Sequence, residues 1–237
     1  MQKQVCKVTY RIYAQEKVKH KVPFFGTDIY PLYIRVTHGI KSLNFKSHLF
    51  EQLLKQKYQL CIRRDNKAPY VKSIIRQEEQ LIEYIIMQHP DDFCLETFKK
   101  EYALFSQNVL DGMDEEFKNY LIKFLYDEGI QALAYLIENM TGKLTGDVIL
   151  HDLKKSLSLP FYEKMMTNSI SIAPPYIPLL EFCRIKYDRN IPVLLMYHFF
   201  DKQFKKELNA FLKMHYQDYI RSNPYLFIQE YIKKLSS

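Results

Sequence analysis

Leu32-Tyr33-Ile34-Arg35-Val36-Thr37-His38-Gly39-Ile40-Lys41-Ser42-Leu43-Asn44-Phe45-Lys46 alternates between apolar and polar side chains on either side of a central His38-Gly39. A period of two is the signature of a strand with one buried face, and two such runs around a short Gly-containing loop read as a β-hairpin. With strands over Ile29–Thr37 and Ile40–Lys46 and a two-residue type I′ turn at His38-Gly39, Thr37 pairs with Ile40. Arg35 then faces Ser42, Ile34 faces Leu43, Tyr33 faces Asn44 and Leu32 faces Phe45. Lys46 falls opposite Pro31, and Val36 against Lys41 is the one mismatch. Leu32, Ile34, Leu43 and Phe45 make an apolar face; Tyr33, Arg35, Thr37, Ser42, Asn44 and Lys46 make a polar one.

Upstream, Val5–Ala14 alternates in the same way. Cys6, Val8, Tyr10, Ile12 and Ala14 share one face, and Lys7, Thr9, Arg11 and Tyr13 share the other. A third strand is therefore expected, joined to the hairpin by a polar excursion over Gln15–Asp28 that carries Lys17, Lys19, His20 and Lys21. After residue 47 the period changes to that of helices. Ser47 is a candidate N-cap for a helix over His48–Leu60, and Ile74, Ile75, Leu81, Ile82, Ile85 and Ile86 line one over Val71–Gln88. Further helices are expected over Cys94–Asn108, Asp114–Tyr126 (capped by Asp114), Ile130–Met140, a short stretch from Gly146 to Pro160, Tyr176–Tyr187, Val193–Tyr219 and Tyr225–Leu235. Pro174, Pro175 and Pro178 predict a loop across Ser169–Pro178. The fold class is α+β: a small N-terminal three-stranded antiparallel sheet followed by a larger all-α bundle. The expected division is a basic head, 1–70, and a helical body, 71–237.

Charge is distributed unevenly along the 237 residues. Residues 1–70 hold fourteen Lys/Arg against four Asp/Glu, a surplus of ten, although the whole chain has a net charge of only +7. The remaining two thirds are slightly acidic. Concentrated positive charge on a polar sheet face points to an anionic partner, and the residue types there are those that contact DNA. Lysines and hydroxyls suit phosphates; Arg and Asn side chains suit base edges. The candidate DNA-binding residues are Lys7, Thr9, Arg11, Tyr13, Lys19, Lys21, Tyr33, Arg35, Thr37, Lys41, Ser42, Asn44 and Lys46.

No chemistry-bearing motif accompanies this face. The seven His are scattered without metal-ligand spacing, and Cys6, Cys61, Cys94 and Cys183 lack a C-x-x-C pair and read as free thiols. There is no Walker loop, nucleophile elbow or dinucleotide fingerprint. The neighbouring carboxylates Glu78-Glu79 and Asp114-Glu115-Glu116 read as solvated helix faces. Neither enzymatic activity, a cofactor nor a metal is expected. No apolar run approaches the ~20 residues of a membrane span, so the expected setting is cytoplasmic, with no membrane partner.

The run from Gly26 through Ile29-Tyr30-Pro31-Leu32-Tyr33-Ile34-Arg35-Val36-Thr37-His38-Gly39 to Lys41 resembles the arm-type N-terminal DNA-binding domain of tyrosine recombinases, the phage-integrase-like proteins of Bacteroides-type mobile elements. The resemblance covers about residues 1–105. It implies a three-stranded sheet laid in the major groove of double-stranded DNA. The chain departs from that family beyond this region: no Trp follows the third strand, and no H-x-x-R box exists, since Asp152-Leu153-Lys154 follow His151 and Phe199-Phe200-Asp201 follow His198. The resemblance therefore implies a DNA-binding accessory or regulatory protein of a mobile element, whose helical body docks a protein partner or self-associates. Two other readings stay open: a non-enzymatic interaction module whose basic head binds an acidic protein, and a degenerate recombinase.

Overall fold

In the computed structural model, residues 7–14, 20–61, 70–187, 193–216, 230 and 233 are described. Strand β1 (Val8–Ala14) pairs antiparallel with β4 (Leu32–His38), which pairs antiparallel with β5 (Lys41–Lys46), giving the order β1-β4-β5. A second, two-stranded ribbon, β2 (Val22–Phe24) and β3 (Thr27–Ile29), occupies part of the stretch expected to be an excursion. Its turn carries Phe25 at φ 51° and Gly26 at φ 82°, the paired positive angles of a type I′ turn.

The β4–β5 register differs by two residues from the one expected. His38 pairs with Lys41, Thr37 with Ser42, Val36 with Leu43, Arg35 with Asn44, Ile34 with Phe45 and Tyr33 with Lys46. The turn is Gly39-Ile40, with Gly39 at φ 60° and no positive angle at Ile40. That pattern is type II′, which demands a left-handed residue only at its first position, where glycine takes it without strain. A turn at His38-Gly39 would have forced the histidine into that region. The shift also puts Val36 beside Leu43 and removes the apolar-to-lysine mismatch. Because it is even, every side chain keeps its face.

Ten helices are described: α1 (His48–Leu53), α2 (Gln56–Cys61), α3 (Val71–Gln88), α4 (Leu95–Phe105), α5 (Val109–Asp127), α6 (Gln131–Glu138), α7 (Gly146–Ser156), α8 (Leu159–Ile172), α9 (Tyr176–Tyr187) and α10 (Lys202–His215), with a 3-10 turn at Met196–Phe200. The single helix expected over His48–Leu60 is broken at Leu54-Lys55. The loop expected across Ser169–Pro178 is mostly helix. Pro160 and Pro178 fall in the first turns of α8 and α9, where a missing N–H leaves no hydrogen bond unmade. The helix expected over Tyr225–Leu235 lies outside the described residues but for Glu230 and Lys233. Among the described residues, no helix is long and apolar enough to cross a membrane.

The chain forms two compact units. One comprises the strands with α1, α3, α4 and the 195–197 segment; the other comprises α2 and α5–α10. In the first, α3 and α4, which the sequence reading assigned to the 71–237 body, cover the sheet's apolar face. Leu32, Ile34 and Val36 are buried, Phe45 meets Tyr102 edge-on at 4.7 Å, and the Tyr10 hydroxyl donates to Glu83 at 2.6 Å. Phe24 of the ribbon stacks on Phe50 of α1 at 5.2 Å.

A buried carboxyl ties these parts together. Glu78 of α3 is 0% exposed and accepts from the Ser47 hydroxyl, from the Tyr102 hydroxyl at 2.9 Å and from the Leu49 amide at 3.2 Å. Ser47 in turn caps α1 through the Phe50 amide at 3.0 Å, and its own amide donates to the Leu32 carbonyl at 2.9 Å. The solvated helix face expected at Glu78-Glu79 is thus overturned at Glu78, which lies on the buried stripe with Ile74, Leu81, Ile82 and Ile85.

The second unit is built around α5. Its N-cap is Asn108, not Asp114, which is buried inside the helix and accepts from the Gly146 amide at 2.6 Å. Lys118, wholly buried, pairs with Asp114 at 2.9 Å and Glu115 at 2.8 Å and donates to the carbonyls of Thr141 and Leu144. Lys57 from α2 reaches Asp111 at 2.5 Å and Asp114 at 3.5 Å. These ions connect α2, α5, α7 and the 139–145 connection, so the solvated face expected at Asp114-Glu115-Glu116 is overturned at Asp114, while Glu115 and Glu116 are exposed.

Burial pushes the Glu78 carboxyl above its ordinary value of 4.5, against the pull of Ser47, Tyr102 and the Leu49 amide. The native state then holds this proton more firmly than the unfolded chain, so its contribution to stability is full below about 4.5 and declines as pH rises toward the native pKa. Glu78→Gln should flatten that decline in a pH series of chemical denaturation, whereas Glu78→Ala, which strands three donors, should cost about 2–4 kcal/mol. In the other unit, a Cβ on Gly146 would stand 2.9 Å from a Phe117 ring carbon and 3.2 Å from Asp114 Oδ1. Gly146→Ala should therefore destabilise by about 1–3 kcal/mol in thermal unfolding.

Candidate nucleic-acid interface

The two registers place the polar face on a grid. Thr9 pairs with Thr37 and Thr37 with Ser42; Arg11 pairs with Arg35 and Arg35 with Asn44; Tyr13 pairs with Tyr33 and Tyr33 with Lys46. Three rows run across the three strands: hydroxyls, then two guanidiniums and an amide, then two phenols and an ammonium. Arg11, Arg35, Ser42, Asn44, Lys46 and Thr9 are exposed, and Thr37, Tyr13 and Tyr33 are half-buried. Within this unit, α3 and α4 pack on the opposite, apolar face of the sheet.

The middle row breaks a rule of sheet construction. Like charges directly opposite one another destabilise an antiparallel pair, and here two arginines occupy facing positions with side chains ~5 Å apart at Cβ. Among the described residues, no carboxylate pairs with either. Arg11 lies over the Tyr13 ring at 5.9 Å, and Tyr13 and Tyr33 stack at 6.3 Å, so the row below partly supports the row above.

The other candidate residues are distributed as follows. Lys7 is exposed at the end of the polar face, one residue beyond the Val8–His38 pair. Lys41 is exposed but has the parity of Leu43 and Phe45, so it stands at the strand's end on the other side from Asn44. Lys21, just before β2, places its ammonium 5.3 Å from the Tyr30 ring centroid and is not part of the β1-β4-β5 pairing. Lys46 pairs loosely with Glu51 at 3.6 Å. Lys19 lies outside the described residues. Nine of the thirteen candidates (Thr9, Arg11, Tyr13, Tyr33, Arg35, Thr37, Ser42, Asn44 and Lys46) therefore share one face, which Lys7 extends.

Other chemistry-bearing groups have structural partners. His89 sits between Glu101 at 2.9 Å and Asp92 at 3.3 Å, and the hydrogen bond to Glu101 raises its pKa above 6.5. His48 hydrogen-bonds to Ser106 at 2.8 Å, and burial lowers its pKa. Cys94 and Cys183 are free thiols. Among the described residues, no group of three or more His, Cys, Asp or Glu is placed to hold a metal ion. No family model, curated protein or solved structure matches the chain.

The Arg11–Arg35 opposition makes a direct prediction about the free protein. Arg35→Glu should stabilise it by about 0.2–1 kcal/mol at low ionic strength by turning repulsion into attraction across the pair. The gain should shrink as salt is added, because the pair is exposed. Urea denaturation at two ionic strengths measures both.

Proposed function

We propose that this chain is a non-enzymatic DNA-binding protein whose β1-β4-β5 face lies against duplex DNA, in the accessory or regulatory role that a mobile element would use. The observation that carries this reading is the Arg11–Arg35–Asn44 row, exposed at the centre of a face with no acidic side chain in its grid. Guanidinium forks match the paired acceptors of guanine, and an Asn amide matches adenine. The hydroxyl row and the flanking lysines suit the phosphates on either side. Dimensions agree as well: three strands ~4.8 Å apart make a slab about 10 Å across, within the ~12 Å width of a major groove. The resemblance of Gly26–Lys41 to integrase arm domains supports the same placement and suggests the mobile-element setting. Docking of a partner protein or self-association is the role that this reading leaves to the helical unit.

The full-length chain should bind mixed-sequence duplex DNA in a fluorescence anisotropy titration, and the logarithm of affinity should fall linearly with the logarithm of salt concentration. Arg11→Ala and Arg35→Ala should each weaken binding by about 1–3 kcal/mol, and Lys46→Ala should reduce the salt slope by about one phosphate's worth. Absence of binding at low salt, or equal binding to polyglutamate, would remove DNA as the partner; the latter would favour an acidic protein.

A further inference from the structure

Arg11 and Arg35 occupy facing positions on the polar face, yet their side chains are held differently. Arg11 and Tyr13 are two residues apart on β1 and so share that face, and the Arg11 guanidinium carbon lies 5.9 Å from the centre of the Tyr13 ring. That ring is in turn stacked on Tyr33, its cross-strand partner, with centroids 6.3 Å apart and planes 30° apart. The strand beneath is tied down as well. β1 lies at the end of the β1-β4-β5 order, but on its other face the Tyr10 hydroxyl donates to Glu83 of α3 at 2.6 Å, and Ile12 pairs with the buried Ile34. Among the described residues, the Arg35 side chain has neither a ring nor a carboxylate against it.

The kind of support decides what Arg11 can do. A long cationic side chain at a surface loses rotamer freedom when it binds, and a contact that fixes it beforehand reduces that loss. A carboxylate would fix it by occupying its N–H donors. The face of a ring fixes it and leaves every donor open. Guanine is the base whose major-groove edge uses them, because O6 and N7 accept together from one planar fork. We infer that Tyr13 is a positioning residue: it holds Arg11 ready to read a guanine, making Arg11 the better ordered of the two arginines. The inference rests on the reading of the sheet as a major-groove surface. It adds the base that this surface selects and the side chain that makes the selection possible.

Wild-type full-length protein should enrich, from a randomised duplex pool, sequences holding a guanine that matters. Replacing it by 7-deazaguanine, in which a C–H stands where N7 accepts, should weaken binding at least about fivefold. Tyr13→Leu should remove most of that sensitivity, and Tyr13→Phe, which keeps the ring face, should retain it. With Arg11→Ala already in place, Tyr13→Leu should change affinity by less than about twofold, because the ring acts through the guanidinium. A loss of stability alone would weaken binding to both duplexes alike and leave their ratio unchanged. Enriched duplexes without such a guanine, a Tyr13→Leu variant as sensitive as wild type, lost sensitivity in Tyr13→Phe, or a further loss in the Arg11→Ala background would overturn the positioning role and leave the sheet reading standing. Failure of wild-type protein to bind any duplex would overturn both.

Discussion

Everything in the first unit depends on β4 having one dry face and one wet face. Leu32, Ile34 and Val36 are buried, and the residues between them, Tyr33, Arg35 and Thr37, point away from the helices. Strand geometry permits no compromise: a slip of one residue would put Arg35 in the core and Ile34 in water. The type II′ turn at Gly39-Ile40 and the Ser47–Glu78 joint fix the two ends of the β5 segment, so the register is determined from both sides. The polar grid follows from these constraints on the other face.

Glu78 shows how a buried carboxyl can organise a fold. A carboxyl moved out of water is costly unless its oxygens are hydrogen-bonded, and three donors from different elements converge on this one. Each donor is thereby placed: Ser47 at the strand-to-helix joint, Leu49 in the first turn of α1, Tyr102 on α4. The Asp114–Lys118 cluster does the same in the second unit, with backbone carbonyls and the Gly146 amide completing the coordination. In both places a buried polar group with several partners specifies which elements meet.

Much of this was legible in the sequence, and the failures have physical causes. The strand faces could be read because parity survives an error of two residues. The register could not, because His38-Gly39 has the order of a type I′ turn, with glycine second, whereas glycine stands first in the type II′ turn that forms. The β2–β3 ribbon was hidden because its turn puts Phe25 in a region that aromatic residues seldom enter. Glu78 and Asp114 are buried although their side chains ordinarily favour water, because helix position outweighs residue type there. Glu78 is four residues from both Ile74 and Ile82, and Asp114 is four from Leu110, spacings that already placed each on a buried stripe. Prolines misled in the opposite direction, since α9 accommodates Pro178 in its first turn. On the candidate face, the residue types were legible from alternation, but the facing of Arg11 and Arg35 required the β1–β4 register, which no local pattern encodes.

An NMR titration of the full-length protein with a short mixed-sequence duplex tests the central claim most directly. The account predicts the largest amide and side-chain shifts at Thr9, Arg11, Arg35, Thr37, Ser42 and Asn44, with Leu32, Ile34 and Val36 nearly unmoved. Shifts confined to the helices of the second unit, or none at saturating duplex, would contradict it.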